Sequence, residues 1–223
     1  MKLAIIADVH SNLQALEAVL LGIERTGAGI IVCAGDIVGY GGNPNECCRL
    51  VEQVARHAVL GNHDSSALTR DVAWMNPFAA TAAIWTSHAL DNASARFLNS
   101  LRVGTMFELG DKKYAMFHGS PKATDEYVFE EQANEKMLSG SDVLVLGHTH
   151  IPFVKKFRTG VVMNPGSVGQ PRDGDPRASF GVYDTDEDEL RINRLEYDIE
   201  GAANAIILAG LPRMLAARLF EGR

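Results

Sequence analysis

The chain has 223 residues, 46% hydrophobic and 22% charged, enough for one sizeable core and ordinary for a globular protein. Its formal net charge of −7 argues against a broad polyphosphate-binding face, so long nucleic acid is not an expected partner, whereas a small anion held at one positive site remains open. Three cysteines, two of them adjacent at Cys47 and Cys48, give no disulfide framework.

Only five apolar residues separate Lys2 from Asp8, which is too short for a secretory signal. The run Leu3–Ala7 reads instead as a first strand. A helix is expected from about Asn12 to Arg25, with Ser11 and Gln14 spaced as a capping box and Leu13, Leu16, Val19, Leu20 and Ile23 as its buried stripe. The run from Ile30 to Ala34 lacks polar alternation, as expected of a central parallel strand buried on both faces, and completes a βαβ unit. Asn43-Pro44 opens a second helix with Asn43 as its cap, and a short strand over Ala58–Leu60 precedes Gly61.

The segment 65–102 reads as a helical insertion. Asn76-Pro77 starts a helix whose Phe78, Ala82 and Trp85 share one face, read as core rather than as a base-stacking wall, and a second helix covers about Ala93–Leu101. A hairpin follows, Thr105–Leu109 and Lys113–Phe117 around Gly110-Asp111, then a helix near Phe129–Leu138. Further strands are expected at Val143–Leu146, Phe153–Phe157, Val161–Met163, Ser179–Asp184 and Leu190–Tyr197. Two helices, Ile199–Leu208 and Arg213–Phe220, close the chain over about 199–221. They are expected to pack on their own sheet, a homo-oligomer contact being the alternative. Gly210, Pro212, Arg213 and Arg218 interrupt that apolar stretch, so no membrane span is expected. No linker or repeat is visible, so 1–223 is expected to be a single domain; without a disulfide framework, a secretory signal or a membrane span, the cytoplasm is its expected location.

Five apolar runs each end in residues suited to metal binding or proton transfer. These endings are Asp8-Val9-His10, Gly35-Asp36, Gly61-Asn62-His63-Asp64, His118-Gly119-Ser120 and Gly147-His148-Thr149-His150. Carboxyl ends of strands are where open α/β sheets place their ligands. In extended backbone the pairs Asp8/His10 and His148/His150 each share a face, so each pair is expected to point at one site. Imidazole nitrogen together with carboxylate oxygen suits Mn, Fe, Zn, Co or Ni. Asp8, His10, Asp36, Asn62, His118, His148 and His150 are more ligands than one ion takes, so two ions sharing Asp36 are expected. Two divalent ions, two aspartates and a shared hydroxide would leave a charge of about +1, ready for a phosphate anion. His63 is placed to assist the leaving group, with Asp64 expected to hold its other ring nitrogen.

Other residues divide between plain and functional readings. Asn12 either caps the first helix or meets a substrate phosphate. Arg172, in the polar loop Gln170–Arg177, is either solvated or orients the substrate. Tyr127 and Phe129 could line a pocket, although no pattern demands it. His57 and His88 fall outside every motif and read as structural or exposed.

As a set, these five motifs resemble the calcineurin-like metallophosphoesterase superfamily. The compact size and the Asn164-Pro165-Gly166-Ser167 turn resemble its small microbial phosphodiesterase branch, and the resemblance spans residues 8 to 167. It implies an α/β fold: a two-sheet α/β/β/α sandwich with mixed sheets and outer helices. It implies one metal held by Asp8, His10, Asp36 and His150, a second held by Asp36, Asn62, His118 and His148, and His63 facing substrate. The expected function is a dinuclear metal-dependent hydrolase of small phosphate esters, in the first place a phosphodiesterase with a metal-bridging hydroxide as nucleophile. A phosphomonoesterase of proteins, nucleotides or dinucleotide polyphosphates is the alternative. A non-catalytic binding scaffold like the retromer subunit comes third, because every ligand and His63 are retained here.

Overall fold

The computed structural model describes residues 1–223. The chain opens with β1 (Lys2–Ile6), α1 (Leu13–Thr26), β2 (Ile30–Cys33), α2 (Pro44–Val54) and β3 (Ala55–Ala58). Three helices follow, α3 (Asn62–Thr69), α4 (Pro77–Ala89) and α5 (Asn92–Ser100). Next come β4 (Gly104–Leu109), β5 (Lys112–Phe117), β6 (Val143–Val145), β7 (Phe153–Phe157) and β8 (Gly160–Asn164). The chain ends with β9 (Ala178–Asp184), β10 (Glu189–Leu195), α6 (Ile199–Leu208) and α7 (Arg213–Ala217).

Two five-stranded sheets result, ordered β10-β9-β1-β2-β3 and β4-β5-β6-β8-β7. Both are mixed: β1, β2 and β3 run parallel, as do β5, β6 and β8, while β9, β10, β4 and β7 join antiparallel. Alternation along β1 explains why a run without polar residues is needed. Ala4 and Ile6 point to the helix side, where they meet Leu16, Val19 and Val51. Leu3, Ile5 and Ala7 point into the seam between the sheets, against Tyr114, Met116, Val145 and Met163. The other face of the second sheet buries Leu144, Leu146 and Val162 under Val128 and Leu138. The result is the expected sandwich, with helices packed outside the first sheet.

Several local expectations are corrected. Ser11 does not cap α1: it holds a left-handed φ of 55°, and Asn12 caps instead, its Oδ1 accepting from Ala15 N at 3.1 Å. Asn43 makes no side-chain cap bond, so Pro44 at the first helical position carries that helix start alone. The third strand lies at Ala55–Ala58 rather than Ala58–Leu60, because a register irregularity opposite Ile31 and Val32 advances the pairing; only Val59 continues it, through a single bridge to Arg102. Ile30 and Ile31 are half-buried, and full burial begins at Val32. Of the α4 face, Ala82 is buried, Trp85 partly buried and Phe78 exposed, since α4 approaches α6 and α7 through Ala79 and Ala82. The helix expected at 129–138 is reduced to one 3-10 turn, Glu135–Leu138. Gln132 is the cause, because its side chain accepts from Phe129 N at 2.9 Å and its carbonyl accepts from Asn134 Nδ2, which diverts the backbone from helical bonding. The last helix stops at Ala217 and continues as a 3-10 turn to Glu221.

Candidate metal centre

The loops after β1, β2 and β6 meet at one edge of the sandwich. The β1–β2 ladder continues past the strands: Asp8 N donates to Gly35 O and His10 N to Asp36 O, both at 3.0 Å. These bonds hold a backbone that is not extended. Asp8, His10, Asp36, His148 and His150 have φ of 54°, 50°, 52°, 67° and 60°. Non-glycine residues rarely adopt this region, and such strain collects at functional sites. The expected two-residue alternation therefore does not apply, and His148 and His150 diverge instead of sharing one site. Gly35, at φ 91°, allows the close approach; a Cβ there would lie 2.9 Å from both Gly61 N and His118 Nδ1.

Two buried groups of ligand atoms form, Asp8 with His10 and His150, and Asp36 with His118 and His148, each within 4.8 Å of one another. Asp36 Oδ2 lies 3.2 Å from His118 Nε2 and 3.6 Å from His10 Nε2, between the two groups. Backbone acceptors set the tautomers. His10, His118 and His150 turn Nδ1 towards the carbonyls of Val38, Ala34 and Gln170 at 3.1, 2.8 and 2.5 Å, which aims Nε2 inward, as a lone pair in His10 and His150 and towards the Asp36 carboxylate in His118. His148 is reversed, with Nε2 3.1 Å from Asp125 O and Nδ1 left free. The Nε2 lone pairs of His10 and His150 thus face each other at 3.0 Å, which is unfavourable between neutral rings and favourable around a cation. Asp8 Oδ2 and Asn62 Oδ1 are buried without hydrogen-bond partners, contrary to the general rule for buried polar atoms, and the close contact of Asp36 Oδ2 with His118 Nε2 lacks hydrogen-bond geometry. This donor set fits a divalent transition-metal pair.

Electrostatics sharpen the picture. Burial raises Asp8 to about 7, opposed by His118. Burial would also raise Asp36, but attraction by the cationic His118 outweighs it and takes the carboxyl well below the usual range. His118 resists its own burial because Asp36 and Asp8 lift it to about 9. Burial drives His10 and His150 well below the usual imidazole value, and lowers His63 to about 4 and His148 to about 3. The neutral imidazoles of His10, His148 and His150 are ready to bind metal.

The remaining expected residues separate. His63 lines a cavity of about 270 Å³ together with Asp36, Asn62, His148, His150 and Arg172. Asp64 does not hold the His63 ring: its Oδ1 accepts from Val38 N at 2.9 Å and its Oδ2 from Gly61 N at 3.0 Å, while His63 Nδ1 has no partner. Asn12 is committed to structure at both ends, since its Nδ2 also donates to Gly169 O at 2.9 Å, so it is not free for a phosphate. Arg172 reaches the cavity, bonding Tyr40 Oη at 3.3 Å and Gln170 Oε1 at 3.0 Å, with no carboxylate partner. Two contributors escaped the sequence reading. Tyr40 is buried with its ring 4.7 Å from His10 and 4.5 Å from His63; its place just after Gly39, in the loop following Asp36, was the available signal. Trp74 lies in a turn with no motif to mark it.

Two nitrogen- and oxygen-donor groups joined at one carboxylate, on the edge of a two-sheet sandwich, define the class: a hydrolase of phosphate esters with two candidate metal sites. The family model of the calcineurin-like phosphoesterase superfamily domain matches residues 1–188. An uncharacterized protein of Methanocaldococcus jannaschii is 38% identical over 239 residues, covering 99% of this chain and 98% of that protein. Phosphodiesterase YfcE of Escherichia coli is 29% identical over 196 residues, 83% of this chain and 89% of its own. The crystal structure of a metallophosphoesterase from Sphaerobacter thermophilus matches with a TM-score of 0.87 at 34% identity, covering 100% of this chain and 99% of that one. The chain therefore belongs to the calcineurin-like phosphoesterase superfamily.

Proposed function

We propose that residues 1–223 act as one domain, a dinuclear metal-dependent phosphodiesterase for small phosphate esters. The observation that carries this reading is Asp36 Oδ2, set between two groups of inward-facing ligand atoms, 3.2 Å from His118 Nε2 of one and 3.6 Å from His10 Nε2 of the other. Asp8, His10, Asp36 and His150 would hold one ion, and Asp36, Asn62, His118 and His148 the other. The ions, from the set Mn, Fe, Zn, Ni and Co, would supply Lewis acidity and an activated water. Arg172, free of any carboxylate, orients the phosphate oxygens. His63, held neutral by burial at pH 7, gives the leaving oxygen an N–H donor. Asp64 acts through the backbone, fixing the loop that carries Asn62 and His63. The name of the E. coli relative, a phosphodiesterase, supports the diester class.

A cytoplasmic location is supported by three buried free cysteines, and no helix is long and apolar enough to cross a membrane. Matched aryl phosphate diesters and monoesters, compared with Mn, Ni, Zn and Mg, test the assignment. The diester should be favoured in kcat/KM by about tenfold or more, roughly 1.4 kcal/mol at the transition state, and chelation should abolish turnover. A faster monoester reaction, or no turnover with any metal, contradicts it.

A further inference from the structure

Two large aromatic side chains are left open where a core would have covered them. Trp74 and Tyr127 are each 49% exposed, and both line the cavity that contains Asp36, His63 and Arg172. They arrive from unconnected segments. Trp74 sits in the turn closed by Met75 N donating to Val72 O at 3.0 Å. Asn76 then caps α4, accepting from Phe78 N and Ala79 N, both at 3.1 Å, so the turn is fixed on a helix end. Tyr127 is fixed from the other side, its ring centroid 4.1 Å from that of His148. Half-open aromatic rings in a concave site are binding surface, and a flat π-face recognises another flat ring.

We propose that this cavity is a nucleobase-binding subsite, in which Trp74 provides the stacking face for the organic arm of the ester and Tyr127, already packed on His148, forms the wall beside it. The inference rests on the phosphodiesterase reading and names its substrate class: esters that carry a nucleoside. Polar groups favour a base over a plain aryl ring. Asn76 spends its Oδ1 on the helix cap, which leaves its Nδ2 as a donor, and the exposed Asp125 offers acceptor oxygens at the same cavity. Arg172 lines the same cavity and bonds Tyr40, whose ring packs on His10 and His63, which marks the phosphate end. A volume of about 270 Å³ holds one mononucleotide-sized group and no strand of nucleic acid, consistent with the chain's net charge of −7.

Calorimetric titration of the manganese-loaded full chain with adenosine 5′-monophosphate and with ribose 5-phosphate tests the subsite without using turnover. The nucleotide should bind about tenfold tighter, the contribution of one stacked base. Trp74→Ala should erase that difference while ribose 5-phosphate affinity stays put, and Trp74→Phe should retain most of it. Equal affinities in the unaltered protein, or a difference that survives Trp74→Ala, overturn the subsite. If diesters are still hydrolysed in that case, the phosphodiesterase reading stands without it. Stacking-dependent binding of the nucleotide in a protein that hydrolyses no diester supports the subsite and removes the phosphodiesterase reading.

Discussion

Asp64 is fully buried, and both of its carboxylate oxygens accept from backbone amides, Val38 N and Gly61 N. Removing the carboxylate strands two buried donors, each costing about 1–3 kcal/mol. Asp64→Ala should therefore destabilise the protein by about 2–4 kcal/mol in denaturant unfolding. His63→Ala should leave stability nearly unchanged and lower kcat by about a hundredfold. If Asp64→Ala instead kept full stability and lost only turnover, Asp64 would be a proton-transfer partner after all. The ligand types were legible in the sequence because aspartate, asparagine and histidine at strand ends carry metal chemistry whatever the exact backbone. The bond from Val38 N to Asp64 was not, since its donor comes from a loop 26 positions earlier. Tyr40 was marked only by its place in the loop after Asp36, since nothing in the sequence shows that its ring packs on His10 and His63.

At the scale of elements, the site depends on loops that come closer than side chains normally permit. A Cβ on Gly61 would collide with the Asp36 carboxylate and with Asp36 N, and the backbone atom cannot rotate away. Gly61→Ala should thus push Asp36 out of place, destabilising the fold by about 1–3 kcal/mol. Manganese affinity should fall together with activity, measured by titration. Unchanged metal affinity would show that the two loops have slack. The strands were legible because apolar runs between turn residues have few other readings. The left-handed ligand residues were not, because no side-chain pattern distinguishes His148 at φ 67° from an extended residue. The 129–138 segment misled for a related reason: its spacing is helical, but Gln132 offers the backbone a competing partner.

For the whole molecule, the buried titratable groups set a pH profile for the metal-free protein. His10, His63, His148 and His150 are depressed by burial, so the unfolded chain takes up their protons first as pH falls below about 6.5, and stability drops. Asp8 and Asp64, both raised to about 7 by burial, act with the opposite sign, but two carboxylates are outweighed by four histidines. On the alkaline side, His118 is raised to about 9 by Asp36 and Asp8 against its burial. Its contribution is complete below about 6.5 and is lost as pH rises towards 9. The melting temperature of metal-free protein should therefore peak near neutrality and fall on both sides, and a flat profile from pH 5 to 9 would contradict this. The two-sheet architecture was foreseeable from a parallel βαβ start followed by antiparallel strands. The order β10-β9-β1-β2-β3 was not, because β9 joins β1 across most of the chain and side-chain pattern carries no information on such distant pairing.

The number of ions the folded chain holds is the most direct test of a metal pair shared at Asp36. Manganese-binding stoichiometry, measured by titration calorimetry with elemental analysis, should be two per chain, and Asp36→Asn should retain at most one tightly bound ion with its fold intact. A single ion or none in the unaltered protein, or two in Asp36→Asn with full activity, would contradict it.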